Sequence, residues 1–215
     1  MFKSIFKAVA VSTVAAFFCV GCGGDDGRDD NGGGGGGGGG SNCSANFKTK
    51  KIGTQTWMAE NLNCDAGVNL CYSNNPANCE KYGRLYSRET ALTICPKGWH
   101  LPSEAEWDVL INYAGGDTAG TKLKATSGWN DYEGESGNGT DDYGFSALPG
   151  GVCPYSTGAA CYGVGTQGNW WTATEGGALD ASHNRAIFRT SRGDIIMGSG
   201  ALLNSYFASV RCVQD

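Results

Sequence analysis

The sequence predicts one α+β domain built from two short helices, a twisted antiparallel sheet and long connecting loops. Two observations lead to this class. Both helical patterns lie in the first half of the domain, whereas strand patterns gather at its end. Between them lies a long segment rich in Gly, Ser, Asn, Asp and Thr. Helices and strands that are segregated along the chain, rather than alternating, are typical of α+β domains.

The first predicted elements are extended. Residues 51–58, KIGTQTWM, alternate in polarity and are rich in Ile, Thr and Trp, which predicts a strand. Residues 83–86 predict a second, shorter extended piece. Ser87 is placed to cap a short helix that runs to Ile94.

A clearer helix is predicted over residues 104–114. Ser103 and Glu106 have the spacing of a capping box, in which each side chain bonds the other residue's backbone N–H. One face of the helix repeats apolar residues at helical spacing: Trp107, Leu110, Ile111 and Ala114. Gly115 and Gly116 then end the helix.

The second half of the domain is predicted to be loop and then strand. Residues 115–168 are mostly irregular, and long loops of this kind tend to be functional. Four strand candidates follow or end this region: 169–174, 186–190, 195–197 and 209–213.

The N-terminal segment predicts export and lipid anchoring. Lys3 and Lys7 precede an apolar run over residues 8–20, and Gly21 precedes Cys22. This is the pattern of a signal peptide, here residues 1–21, with small residues before a cysteine that is acylated in bacterial lipoproteins. We expect a chain anchored through Cys22 in the cell envelope, at the outer membrane or cell surface. The alternative is a plain signal peptide that is cut elsewhere.

Residues 22–42 predict a tether, and residues 43–215 the folded domain. Four aspartates are followed by nine consecutive glycines, Gly32–Gly40, which offer no apolar surface to bury. Twenty such residues span about 25 Å as a random coil. The tether is either a spacer that lifts the domain from a membrane or a neutral low-complexity expansion.

The charge of the chain argues against nucleic acid as a partner. The full chain has a net charge of −5, and loss of Lys3 and Lys7 with the signal makes it −7. Nucleic-acid affinity comes from Lys and Arg that neutralise phosphates. The composition also indicates no basic patch for anionic lipid, so we expect the lipid anchor to be the membrane link and the protein to be a monomer.

Eight cysteines remain for the domain once Cys19 leaves with the signal and Cys22 takes the lipid. An even number in an exported chain predicts a disulfide framework, with roughly a hundred pairings open. Zinc is disfavoured because the chain has no C-x₂-C spacing and only two histidines, His100 and His183. The eight are Cys43, Cys64, Cys71, Cys79, Cys95, Cys153, Cys161 and Cys212.

One segment, residues 80–107, carries a family resemblance. It runs EKYGRLYSRETALTICPKGWHLPSEAEW, with a cysteine after a short helix and an aromatic-His-Leu-Pro step before the next. This order resembles the C-type lectin-like fold, and HLPSEAEW resembles the LPTEAEW of formylglycine-generating enzymes. With IGTQTWMAENL, GFSALPGG and the C-terminal SVRC, the chain is most similar to the Fibrobacter succinogenes major paralogous domain family over about residues 50–215.

The resemblance implies a C-type lectin-like fold braced by disulfides. It implies that Cys95 pairs with Cys212 and so ties the first helix to the last strand. The other pairs would be Cys71–Cys79, Cys153–Cys161 and Cys43–Cys64. Members of the family resemble secreted or lipid-anchored surface proteins.

No catalytic constellation stands out in the sequence. There is no G-x-S-x-G elbow. Cys153 and Cys161 lack the Cys-x₄-Cys spacing of formylglycine-generating enzymes, and two histidines cannot supply a histidine-rich iron site. We expect His100 to be a packed, hydrogen-bonded residue rather than a catalyst.

Two candidate ligand sites lie in the loops. Oxygen-rich loops can bind calcium, with Asp131, Asp141 and Asp142 as candidates, although they match no EF-hand spacing and a solvated loop is favoured. Aromatic rings offer stacking area for sugars, although one of the adjacent Trp170 and Trp171 is expected in the core. The aromatic candidates are Trp129, Tyr155, Tyr162, Trp170 and Trp171.

These observations predict a non-catalytic binding or adhesion module. We expect it to recognise a glycan or a surface protein through the loops of residues 117–168 and 176–206 and to need no cofactor, with calcium as the one candidate ion. One alternative is an enzyme related to formylglycine-generating enzymes. Another is a structural envelope protein without a small ligand.

Overall fold

The structure, a computed structural model, describes residues 43, 47–155, 160–174, 185–189, 195–197 and 205–215, with backbone alone for 185–189 and 195–197. These residues have the predicted α+β class. The helices are α1 (Pro76–Tyr82), α2 (Arg88–Ala91), α3 (Glu104–Ala114) and α4 (Ala119–Leu123). The strands are β1 (Thr49–Ile52), β2 (Gln55–Met58), β3 (Asn69–Leu70), β4 (Leu85–Ser87), β5 (Trp99–His100), β6 (Gly150–Pro154), β7 (Tyr162–Val164), β8 (Gln167–Trp171), β9 (Arg185–Arg189), β10 (Ile195–Met197), β11 (Tyr206–Ser209) and β12 (Val213–Gln214).

The strands form two sheets, where the sequence predicted one antiparallel sheet. The smaller sheet has the order β1-β2-β12-β5. The larger has the order β10-β9-β8-β6-β11-β4-β3, with β7 paired to β6. It is mixed, because β8 runs parallel to both β6 and β11. The expectation of a purely antiparallel sheet is therefore wrong.

The first predicted strand is a hairpin. Residues 51–58 were expected to be continuous, but β1 and β2 pair with each other from Thr49↔Met58 to Ile52↔Gln55. Gly53 has a φ of 61° in the turn between them. Glycine takes this conformation at little cost, which lets the chain reverse within two residues. The predicted strand 209–213 likewise divides between β11 and β12.

Helix α3 is confirmed over the predicted range. The hydroxyl of Ser103 accepts from the backbone N–H of Glu106, and the Glu106 carboxylate accepts from the backbone N–H of Ser103. Gly115 ends the helix in the left-handed region, with a φ of 115°. Within the described part of the chain, no helix is long and apolar enough to cross a membrane.

The described residues contain four α-helices, whereas the sequence predicted two. The Ser87-capped helix is present, but it stops at Ala91 rather than Ile94. No element was predicted where helix α1 lies, and helix α4 lies in the segment that was predicted as loop. Their seven and five residues are too short to show a repeating apolar face. Helix α1 does begin with a recognisable signal, because the Asn75 side chain caps it and Pro76 follows.

Tryptophan side chains fill much of the core. In the first of two large clusters, the rings of Trp57 and Trp107 lie 4.8 Å apart, and Trp170 lies 6.2 Å from Trp107. The second cluster contains Trp171. Because Trp170 and Trp171 are successive residues of β8, they point to opposite faces of the sheet and enter different clusters.

Four disulfides brace the domain, with the pairing that the resemblance implies. Cys95–Cys212 spans 117 residues and joins the segment after α2 to the segment before β12. The other three are Cys43–Cys64, Cys71–Cys79 and Cys153–Cys161.

Candidate functional site

Three of the five predicted ligand aromatics are buried. Trp170 and Trp171 are 0% exposed and Trp129 is 4% exposed. Their indole N–H groups also donate inside the protein. Trp170 donates to Asn61 Oδ1, Trp171 to Tyr86 O and Trp129 to Ala147 O. Such rings offer no face to a ligand. The prediction that these three tryptophans bind a ligand is therefore wrong, because their rings pack in the hydrophobic core.

The two remaining candidates are exposed but do not share a surface. Tyr155 is 54% exposed and stacks on Phe207, with ring centroids 5.2 Å apart. Tyr162 is 46% exposed and meets Tyr206 edge-on at 6.4 Å. Tyr206 and Phe207 are neighbours in β11, so their side chains point to opposite faces of the sheet. Tyr155 and Tyr162 are thus separate exposed rings.

The acidic loop does not assemble a metal site in the described residues. Asp141 accepts from the backbone N–H of Ser146 at 2.7 Å and from its hydroxyl at 2.5 Å, so both carboxylate oxygens are engaged in a turn. Asp131 and Asp142 are exposed. No three His, Cys, Asp or Glu side chains of the described chain come together as a metal-ligand set.

His100 is hydrogen-bonded on both ring nitrogens. Its Nδ1 lies 2.8 Å from Asp215 Oδ1, and its Nε2 lies 2.7 Å from Glu106 Oε1. Partial burial alone would lower the pKa of His100, but the hydrogen bonds and charges of Asp215 and Glu106 outweigh it and raise that pKa. Because carboxylates only accept, both nitrogens donate when the ring is an imidazolium. The expectation of a hydrogen-bonded residue is confirmed.

The described residues enclose a cleft of about 540 Å³. We call it the α1 cleft. One wall is formed by residues 60–65, which follow β2, and the other by residues 79–83 at the end of helix α1. Cys43, Phe47, Met58 and Leu148 complete the lining.

Disulfides fix both walls of the α1 cleft. Cys43–Cys64 lies in one wall, and Cys71–Cys79 fastens helix α1 in the other. Asn61 joins the walls, because its Nδ2 donates to Tyr82 O at 2.8 Å. The cleft is therefore preformed, and a ligand does not have to order it.

The charged side chains that line the cleft are mostly acidic. Asp65 pairs with Arg84 at 3.0 Å, and the Lys81 ammonium lies 4.9 Å from the centre of the Tyr82 ring. Glu60 accepts from the backbone N–H of Lys48 at 3.3 Å and acts electrostatically on Arg211, which lies buried behind the cleft. With Glu80, the lining contains three carboxylates and one ammonium group, so the cleft offers hydrogen-bonding groups with a net negative charge.

A family model described as the Fibrobacter succinogenes major domain matches residues 51–214. The chain belongs to this family. No curated protein and no solved structure matches the chain. The Fibrobacter succinogenes major domain includes both walls of the α1 cleft, whereas Cys43 and Phe47 of the lining precede the matched residues.

The cleft of this Fibrobacter succinogenes major domain was not predicted from the sequence. The loops proposed instead, 117–168 and 176–206, do not line it apart from Leu148, and much of 176–206 lies outside the described residues. A signal was present. Glu60, Asn63 and Asp65 crowd polar groups around Cys64, and a disulfide there indicates a fixed loop rather than a mobile one.

Proposed function

We propose that the chain is a surface-anchored, non-catalytic binding module that holds a neutral segment of glycan in the α1 cleft. One observation carries the proposal: a preformed cleft whose walls are each fixed by a disulfide. Fixed walls lower the entropy that binding costs.

The size and lining of the cleft suit a short run of sugar rings. A volume of about 540 Å³ lies in the range of small-ligand sites. Carboxylates and amides such as Glu80 and Asn63 can accept and donate to hydroxyl groups, while Phe47 and Leu148 offer apolar contact to the carbon faces of a sugar. An anionic ligand would meet three carboxylates and one ammonium group in this lining, and a desolvated, unpaired charge is costly.

The anchoring part of the proposal rests on the N-terminal sequence. The basic, apolar and small residues before Cys22 support acylation there and placement in the outer membrane or at the cell surface. The Cys95–Cys212 bond, from the segment after α2 to the segment before the last strand, supports the finer proposal of a C-type lectin-like fold. Intact mass measurement of the chain from a bacterial membrane tests acylation of Cys22.

The binding part is tested with a panel of neutral, anionic and cationic polysaccharides. We expect saturable binding of a neutral glycan, and at least a tenfold loss of affinity in Asn63→Ala and Glu80→Gln, both exposed on the cleft. The matched controls are Asn112→Ala and Glu89→Gln, which are exposed on α3 and α2. Repeating the titration with calcium and with a chelator tests the calcium hypothesis.

Two results would overturn the glycan proposal. One is an absence of binding across the panel, which would leave a protein partner or a structural envelope role. The other is an equal loss of affinity in the cleft variants and in their controls, because the ligand would then not occupy the α1 cleft.

A further inference from the structure

Strand β1 carries a cluster of lysines. Lys48, Lys50 and Lys51 lie within four consecutive residues, and all three are exposed. Within the described part of the chain, none of them is within ion-pair distance of a carboxylate. The carboxylate of Glu60 lies close by, but it accepts from the backbone of Lys48. The cluster is therefore a local positive patch on a chain whose net charge is −5.

The patch lies on a free edge. Among the residues that the structure describes, strand β1 is at the end of the order β1-β2-β12-β5 and pairs with β2 alone. Lys50 and Lys51 are successive, so their side chains leave opposite faces of the strand. Long, flexible stems allow both ammonium groups to reach forward past the edge. A surface that approaches the edge of the sheet would meet both charges together.

Lysines on an edge strand also prevent pairing with another chain. That role explains Lys50 and Lys51 within β1. It does not account for Lys48, which precedes the strand and extends the patch toward the point where the chain enters the domain. None of these lysines lines the α1 cleft, and lysine is a point charge rather than a bidentate fork. The chemistry suits a field of phosphates more than one shaped anion.

The position of the patch along the chain indicates a lipid surface. Twenty residues separate Cys22 from Cys43, and a random coil of that length would span about 25 Å. An acyl chain on Cys22 would keep β1 within a few nanometres of lipid headgroups. At that local concentration even a weak attraction orients the domain.

We propose that Lys48, Lys50 and Lys51 form a docking surface for anionic lipid headgroups. The proposal draws its choice of partner from the anchoring part of the proposed function, but it does not involve the glycan. It also revises the expectation that the domain has no basic patch. Each lysine near an anionic surface contributes about fivefold to binding, and three contribute on the order of a hundredfold.

The test uses residues 23–215, which lack Cys22 and its lipid but contain every residue that the structure describes. Cosedimentation with vesicles is measured at about 50 mM and about 300 mM salt. One set of vesicles is phosphatidylcholine alone, and the other contains about one third phosphatidylglycerol. The double variant Lys50→Gln/Lys51→Gln is compared with Lys97→Gln/Lys122→Gln, which has the same net charge. We expect binding to anionic vesicles, weakened about 25-fold in the β1 variant and less than twofold in the control.

Salt is expected to abolish the binding, and vesicles of phosphatidylcholine alone to show none. The proposal is overturned if the wild-type residues 23–215 do not bind anionic vesicles at low salt, or if the two double variants lose binding equally. Because the tested chain carries no lipid and no glycan is present, these outcomes are independent of Cys22 acylation and of the α1 cleft. Equal unfolding temperatures of the two variants exclude a folding defect as the cause.

Discussion

Arg211 donates a hydrogen bond from Nη2 to Oδ1 of Asn61 at 2.8 Å inside the core. Arg211 is fully buried, and burial lowers its pKa to about 9, against the opposing charges of Asp141 and Glu60. Backbone oxygens of Phe145 and Ser146 also accept from it, and the Phe145 ring lies 4.2 Å from the guanidinium carbon. Asn61 thus links the lining of the cleft to a buried cation.

Replacement of Asn61 should destabilise the domain. Its side chain bonds Tyr82, Trp170 and Arg211 at 2.8 Å, and a bond to a charged group contributes about 1.5–3 kcal/mol. We expect Asn61→Ala to lower the free energy of unfolding by about 3 kcal/mol or more, measured by urea denaturation. Asn63→Ala, two residues away and exposed, should change it by less than about 0.5 kcal/mol. Similar losses in both variants would contradict the role of Asn61.

Replacement of Trp171 should act on folding and not on ligand contact. The ring is fully buried and its N–H donates to Tyr86 O at 2.7 Å. We expect Trp171→Ala to cost about 3–5 kcal/mol of unfolding free energy. Tyr155→Ala, at an exposed ring, should cost far less. A Trp171→Ala protein with wild-type stability and reduced glycan binding would restore this tryptophan as a ligand residue.

Helix α3 and Trp171 show which features of this domain can be predicted from its sequence and which cannot. The capping box at Ser103 and the apolar face of α3 are local patterns, so the sequence predicted that helix to the residue. Whether Trp171 faces a ligand or the core depends on which strands pair with β8, and these come from residues 185–189, 151 and 209. The α1 cleft depends on contacts of similar range, because Asn61 bonds Tyr82 across 21 residues.

The stability of the domain should depend on the protonation of His100. Its pKa is raised in the folded state, so its contribution is complete below the unfolded pKa of about 6.5 and is lost as pH rises through the raised value. We expect the urea midpoint of the wild type to decrease as the pH is raised from about 6 to about 9, and that of His100→Gln to decrease less. The difference between the two proteins isolates His100 from His183 and other titrating groups. Parallel pH profiles would show that the bridge to Glu106 and Asp215 contributes nothing.

The disulfides should differ in their contribution according to the loop that each closes. Cys95–Cys212 has a sequence separation of 117 and Cys71–Cys79 one of 8. Loop-closure entropy gives about 5 kcal/mol for the first and about 2.5 kcal/mol for the second. Paired Cys→Ala variants, compared by urea denaturation, should show that order. The reverse order would mean that the short bond does more than close its loop.

The Cys43–Cys64 bond has a mechanical consequence. Tension applied to the chain ahead of Cys43 passes through a covalent bond directly to residue 64. Residues 44–63, which include the β1–β2 hairpin, are bypassed by that load. Without the bond, the same pull would reach β1 first and peel an edge strand from its sheet one hydrogen bond at a time. The disulfide therefore moves the point of traction from a strand that unzips easily to the rim of the cleft.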